Sequence, residues 1–383
     1  MRSVRDLKGT GHRALVRVDF NVPLTDDGHV ADALRIEEFL PTLRALIDQG
    51  ARTILMSHLG RPKGKDPALS LRPVAEYLSQ RLGRAVRFAP DCIGPETQAA
   101  SAALDEGEVL LLENLRFHPE EEANDPDFAR ALSSLGDVFV EDAFGTVHRA
   151  HASTVGVPKV LPAYAGFLVE REVAELSKLT QNPKRPYAAV IGGAKIRDKL
   201  PLLKNLLRKV DALLLGGALG ASVITDSQDP SSSLFGAVRE LTEQAQRSTG
   251  RLILPEDFIL QDGALGPARV SEGTRIPAGS RAMDIGPRTC ERFRAELASA
   301  RTVFANGPLG KAEEEPFAQG TREVLGHLGL PGQTSILAGG DTAGIIRSMG
   351  LASAFTYIST GGGAALEFIE GRVLPGLAVI PSG

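Results

Sequence analysis

Short, continuously apolar runs alternate with longer amphipathic stretches along nearly the whole chain, and this constrains the fold most. The runs 14–18, 53–56, 109–112 and 138–140 read as strands, as do 188–191, 212–215, 252–254, 302–305 and 335–338. Between them, 36–49, 71–82, 235–248, 289–299 and 342–349 repeat their apolar residues at helical spacing. A strand apolar at every position is covered on both faces, as parallel strands in α/β proteins are. Strand–helix alternation then implies parallel sheets with right-handed crossovers.

A length of 383 residues exceeds one ordinary core; a prior of about 150 residues per domain gives two or three. The alternation breaks in the middle. Residues 169–179 (VEREVAELSKL) read as a polar-faced helix, the turn-rich TQNPKRP should end it, and 187–191 starts a second series. The expected organisation is α/β: two Rossmann-like domains with parallel sheets, 1–165 and 185–370, joined by a helix and hinge over 166–184. The proline-bearing run 371–383 is too short for a further unit, and periodicity does not place it.

In the first half, cations gather just after expected strands. Arg17, Asp19 and Asn21 lie in RVDFNVP, Arg35 at the start of a helix, and His58 and Arg61 in SHLGRPKG. Arg116 lies in LLENLRF, and His148, Arg149 and His151 in GTVHRAHAS. In an open α/β sheet the loops at strand carboxyl ends converge on one crevice. Any one arginine there reads as a surface charge. Several such loops together favour a small polyanion held by guanidinium forks. The histidines are either ligand donors or satisfied structural groups, and no tight metal-ligand spacing is present.

The second half carries glycine at its strand ends: Gly192-Gly193-Ala194-Lys195, Gly216-Gly217, Asn306-Gly307-Pro308, Gly339-Gly340-Asp341-Thr342 and Gly361-Gly362-Gly363. One glycine pair is a tight turn. Five glycine-bearing ends point to nucleotide phosphates approached by backbone N–H groups at helix starts. Lys195 and Lys199, four apart, share a face if both are helical. Neither a P-loop nor a dinucleotide G-x-G-x-x-G fingerprint is present. Asp341 is either a Mg²⁺ ligand or an ordinary N-cap, and Glu313-Glu314-Glu315 reads as a solvated charge run.

Composition narrows the partners. Forty-three basic against 47 acidic residues leave a net charge of −4, so no global field draws the chain to nucleic acid or an anionic membrane. The two cysteines, Cys92 and Cys290, make neither a disulfide framework nor a CxxC site. No apolar h-region of a signal peptide and no run of roughly 18 apolar residues occurs. A cytoplasmic location is expected.

These residues fall into motifs that resemble the phosphoglycerate kinase family: RVDFNVP (17–23), SHLGRP (57–62), ENLRF (113–117), EDAFGTVHRAHAST (141–154), IGGAKIRDKL (191–200), NGPLG (306–310), GGDTAG (339–344) and STGGGAALEFIEGRVLPG (359–376). They occur in family order and span nearly the whole chain. The resemblance implies a glycolytic kinase passing a phosphoryl group reversibly between 1,3-bisphosphoglycerate and ADP, with Mg²⁺, by hinge-bending closure of a monomer. It implies that Asp19, Asn21 and Arg35 contact the glycerate and its reacting end, and that His58, Arg61, Arg116 and Arg149 hold the non-transferring phosphate. Phe20, Leu59 and Gly60 complete that side.

On the nucleotide side it implies Lys195 and Lys199 facing phosphates, Gly193, Ala194, Asn306, Gly339, Gly340 and Thr342 around them, and Asp341 on Mg²⁺. Gly216, Gly217 and Pro308 correspond to an adenosine pocket and Glu313 to a ribose ligand. Arg35, Lys195, Gly340 and Gly362 are the implied catalytic set, and 371–383 would return to the first domain. The chain departs from the family pattern at Glu141 (usually Asn), at 311–315 (usually containing an aromatic) and at Ala338 (usually Gly). A nicotinamide dehydrogenase lacks support without its glycine fingerprint. A non-catalytic anion-binding protein leaves Lys195, Lys199 and GGDT unexplained.

Overall fold

The computed structural model describes residues 1–8, 10–263 and 266–382; Gly383, the last residue of the expected tail, lies outside them. The chain forms two compact units, Met1–Ala174 with Val373–Gly383, and Glu175–Arg372.

The first unit contains β1 (Arg13–Arg17), α1 (Leu34–Asp48), β2 (Arg52–Met56), α2 (Arg72–Leu82), β3 (Val86–Phe88), α3 (Pro95–Ala102), β4 (Val109–Leu111), α4 (Pro126–Ser133), β5 (Val138–Glu141) and β6 (Ala163–Ala165). Its sheet has the order β3-β4-β2-β1-β5-β6, and every pairing is parallel. The apolar runs are continuous because both faces are buried. Ala14, Val16, Leu55, Val109, Leu111 and Val140 pack with Ile36, Phe39 and Leu43 of α1 and Val74 and Leu78 of α2. Leu15, Ile54, Met56, Leu110 and Phe139 pack on the opposite face with Phe128 and Leu132 of α4. The connection from β1 runs toward β2 and that from β5 toward β6, so the topological switch lies between β1 and β5.

The helix α5 (Phe167–Thr180) contains the division between the units. Asp142, just past β5, caps it: its Oδ1 accepts the N–H groups of Leu168 and Val169 at 2.9 and 3.1 Å.

The second unit contains β7 (Tyr187–Ile191), α6 (Ile196–Leu207), β8 (Ala212–Leu215), α7 (Gly217–Asp226), α8 (Phe235–Arg247), β9 (Arg251–Ile253), β10 (Phe258–Asp262), β11 (Ala268–Val270), β12 (Ser280–Ile285), α9 (Pro287–Ala298), β13 (Thr302–Asn306), α10 (Gln319–Leu325), β14 (Thr334–Leu337), α11 (Gly340–Ser348), β15 (Tyr357–Ile358) and α12 (Gly363–Glu370). The parallel sheet runs β15-β14-β13-β7-β8-β9, with its switch between β7 and β13. Phe293, Leu297, Val324 and Ile346 of α9, α10 and α11 cover one face.

A second, antiparallel sheet, β11-β10-β12, carries Phe258 and Leu260 against Ala221 and Ile224 of α7. No sequence expectation covered it. All three β11 residues are exposed, so no apolar period marks the strand. The tail forms α13 (Pro375–Ala378) within the first unit. There Gly376 N–H donates to Val147 O at 2.8 Å and Arg2 N–H to Pro381 O at 2.9 Å.

Candidate active site

In the first unit the loops after β1, β2, β4 and β5 leave the same edge of the sheet. Arg17 ends β1 and is fully buried, an expensive placement that its partners must offset. Its Nε donates to Ser153 Oγ at 2.9 Å and its Nη2 to His58 Nδ1 at 3.1 Å. Guanidinium is only a donor, so His58 must accept at Nδ1 and carry its proton on Nε2. Burial, then Arg17, Arg116 and Arg149, hold the His58 pKa well below the usual range. The imidazole is therefore neutral at pH 7, and the positive charge belongs to the arginines.

One chain of contacts links the other loops. Arg35 Nη1 donates to both Asp19 carboxylate oxygens at 3.1 and 3.0 Å and to Asn21 O at 3.1 Å. Asn21 Oδ1 accepts Gly60 N–H at 2.9 Å, and Gly60 O accepts Arg116 Nη1 at 2.7 Å. Asn114 clamps Leu59 from both sides, taking its N–H at 3.2 Å and donating to its carbonyl at 2.8 Å. Arg61, Lys63 and Arg116 line a pocket of about 310 Å³ together with Glu122, which pairs with Arg116 Nε at 3.0 Å. Arg149 Nε donates to His148 Nε2 at 3.2 Å.

Not every expected residue reaches this edge by its side chain. The Phe20 ring is buried against Phe39, their centroids 5.7 Å apart, and only its backbone joins the loop, donating to Ser57 Oγ. Arg17, expected among the ligand-facing cations, instead organises the loops with Ser57, Asn114 and Ser153, which carried no sequence expectation. Glu141, at the end of β5, accepts Ala143 N–H at 2.9 Å through Oε1, whereas its buried Oε2 has no hydrogen-bond partner among the described residues. Burial pushes this carboxyl well above the usual range.

In the second unit the glycines sit where the sheet's carboxyl edge turns into helices. Gly192 packs so closely that an added Cβ would lie 2.0 Å from Pro308 O. Gly339, with φ +118°, holds a backbone conformation that L side chains rarely adopt, immediately before α11. Lys199 Nζ donates to Gly192 O at 2.6 Å and to Asn306 Oδ1 at 2.7 Å, tying the β7 and β13 ends together. Burial lowers its pKa to about 8. Asn306 Nδ2 donates to Ala338 O at 2.7 Å, and Gly307 N–H to Thr342 Oγ1 at 3.1 Å, which brings in the β14 end.

Lys195 and Lys199 do not form a like pair: Lys195 is the exposed N-cap of α6, and Lys199 is drawn inward. Asp341 is not an N-cap either. Gly339 holds that position, and Asp341 stands exposed in the first turn of α11. A single exposed carboxylate at the sheet's carboxyl edge fits Mg²⁺, which is commonly held by one or two carboxylates and the phosphates of its ligand. Gly193, Ala194, Gly217, Pro308 and Glu313 line a pocket of about 270 Å³ with Met283 of the antiparallel sheet. Its lining is mostly glycine, alanine and proline, with Glu313 and Lys311 as the charged side chains. A larger groove, about 630 Å³, lies on α9 and α10, away from the strand carboxyl ends.

Both units thus place polar machinery at their topological switch points, in the same order of motifs as one known family. The phosphoglycerate kinase family model matches residues 4–372. The chain belongs to the phosphoglycerate kinase family. It is 48% identical to the phosphoglycerate kinase of Moorella thermoacetica over 99% of this chain and 98% of that one. It is 46% identical to that of Chlorobium phaeovibrioides over 99% of each. The solved phosphoglycerate kinase of Coxiella burnetii superposes with a TM-score of 0.88 at 35% identity, covering 99% of this chain and 98% of the other. That of Pyrococcus horikoshii gives 0.87 at 32%, with the same coverage. Among the described residues no helix is long and apolar enough to cross a membrane.

Proposed function

We propose that this phosphotransferase moves a phosphoryl group reversibly from 1,3-bisphosphoglycerate to ADP, giving 3-phosphoglycerate and ATP. The observation that carries this reading is the pairing of an arginine-rich switch point in one unit with a glycine-rich one in the other, within a chain of that family. Phosphoryl transfer leaves little covalent work to a protein; positioning and charge stabilisation supply the rate. The leaving group of the acyl phosphate is a carboxylate, so ATP formation requires no general base.

In this reading Asp19, Asn21 and Arg35 orient the glycerate, and His58, Arg61, Arg116 and Arg149 hold the phosphate that stays. Neutral His58 contributes its Nε2 proton as a hydrogen-bond donor. The backbone around Gly193, Ala194, Gly216, Gly217, Gly339 and Gly340 receives the nucleotide with Lys199, Asn306, Pro308, Glu313 and Thr342. Asp341 is the residue that would hold Mg²⁺, which supplies charge neutralisation on the nucleotide phosphates when bound. Arg35, Lys195 and the amides of Gly340 and Gly362 stabilise charge on the group in flight. Hinge closure about the α5 segment brings the ligands together and excludes the water that would hydrolyse the acyl phosphate. The enzyme acts as a cytoplasmic monomer.

The test is turnover of 3-phosphoglycerate and MgATP, read as ADP release through a coupled assay. Turnover dependent on both substrates supports the proposal. Folded protein that binds both and turns over neither overturns it in favour of an anion-binding protein.

A further inference from the structure

The two cysteines are free and buried, and neither belongs to the machinery described above. Cys92 is not isolated. It lies between β3 and α3, next to Asp91. The β4–α4 connection brings His118 to the same place, two residues beyond Arg116. One ligand atom each from Asp91, Cys92 and His118 lie within 4.8 Å of one another. Asp91 Oδ1 and His118 Nε2 are 2.7 Å apart, and Asp91 Oδ1 also accepts the Cys92 N–H at 2.7 Å.

The loop is braced by Thr97 Oγ1, which donates to the carbonyls of Asp91 and Ile93 at 3.0 and 3.2 Å. The His118 ring is seated against Phe128, centroids 5.3 Å apart. Asp91 and His118 are partly exposed above a buried sulfur, which gives an entry path.

Thiolate, imidazole and carboxylate are the donors a zinc-class ion prefers. Around a tetrahedral ion with bonds of about 2.0–2.3 Å, neighbouring ligand atoms stand roughly 3.3–3.6 Å apart. The three donors already converge on one spot; binding would replace the 2.7 Å Asp91–His118 hydrogen bond and spread that pair by roughly 0.6–0.9 Å, with a fourth position left for water. We propose that Asp91, Cys92 and His118 form a divalent-cation site of zinc class in the first unit. On binding, the metal–sulfur bond replaces the S–H bond and the proton leaves to solvent.

His118 also lines the pocket containing Arg61, Lys63 and Arg116, so the ion adds positive charge to the wall of the anion pocket. Metal binding and phosphoglycerate binding then strengthen one another reciprocally.

Co²⁺ titrated into the chelator-treated full-length protein is the test. The expected result is one equivalent bound, with intense tetrahedral d–d bands and a thiolate-to-cobalt charge-transfer band. That band should survive in Cys290→Ala and vanish in Cys92→Ser. Affinity should fall by at least about tenfold in His118→Gln, a variant of a partly exposed residue that keeps the fold intact if Cys92→Ser does not. A charge-transfer band absent from the parent protein, or affinity unchanged in His118→Gln, overturns the proposal.

Discussion

The two units solve similar architectural problems with different chemistry. Each has a six-stranded parallel sheet whose strand order reverses once, β1 beside β5 in the first and β7 beside β13 in the second. At the first reversal the polar groups are side chains: Arg17, Arg35, Arg116 and Arg149, braced by Asp19, Asn21, Asn114 and Ser153. At the second the strand ends carry glycines instead, and of these Gly192 and Gly339 could carry no side chain without moving Pro308 or Asn306. A small compact anion is well matched by converging guanidinium forks. A polyphosphate strung along several helix starts is better matched by N–H groups and helix dipoles. The difference makes the first unit vulnerable to side-chain truncation and the second to side-chain addition.

Three perturbations sharpen that contrast. The largest effect is expected at Arg35, whose single Nη1 already binds Asp19 and Asn21 and whose remaining donors are left for a ligand. Arg35→Ala should lower kcat by roughly 10²–10³ if it meets the transferring group. Steady-state kinetics showing unchanged kcat and a raised KM would move it to binding alone.

Next is the contrast between two glycines of the second unit. Gly192→Ala must displace Pro308 O from 2.0 Å, whereas a Cβ on Gly340 meets nothing within 4 Å. Thermal unfolding should show Gly192→Ala losing about 3 kcal/mol or more and Gly340→Ala nearly unchanged, the latter's effect falling on turnover and nucleotide binding instead. Equal stability losses would break the distinction between a packing glycine and a ligand-facing one.

The smallest is a pH response of opposite sign around two buried groups, His151 in the first unit and Asp284 in the second. Burial, with Arg17 and Arg116 adding to it, lowers the His151 pKa from 6.5 to about 4. The fold favours the neutral ring, so that contribution is full above pH 6.5 and is lost as pH falls toward 4. It amounts to less than about 3 kcal/mol. In the second unit burial raises Asp284, which accepts Gly320 N–H at 2.7 Å, from 3.8 to about 7. The fold favours the protonated acid there, so stability declines as pH rises from 3.8 through about 7. Amide exchange followed from pH 4 to 8 should show the amides around His151 loosening at the acid end and those around Asp284 tightening there. Parallel changes in both would contradict these environments.

Much of this was legible in the sequence where burial on both faces leaves a mark. The runs at 14–18, 53–56 and 302–305 declare parallel strands because helices cover both sides. The strands β3 and β6 are three-residue edges, too short to show a period. The antiparallel sheet escaped because β11 is wholly exposed and β10 is apolar only at Phe258, Ile259 and Leu260.

The same limit governs the site. Motifs such as RVDFNVP and IGGAKIRDKL locate strand ends and the residues after them. Asn114 bracing Leu59 and Lys199 turning inward to Asn306 depend on contacts between loops 55 and 107 residues apart. The four-residue spacing of Lys195 and Lys199 suggested a shared helical face, but the helix begins after Lys195. Cys92 and His118 likewise meet only once β3 and β4 pair.

In the proposed function each unit owns one ligand, held by side chains in the first and largely by backbone in the second. Hydrogen exchange with each ligand added alone tests it most directly. 3-Phosphoglycerate should protect 18–21, 58–61, 114–118 and 148–151, while MgADP should protect 192–195, 216–218, 306–310 and 339–342. Protection by both ligands in the same unit, or by 3-phosphoglycerate in the glycine-bearing loops, would contradict it.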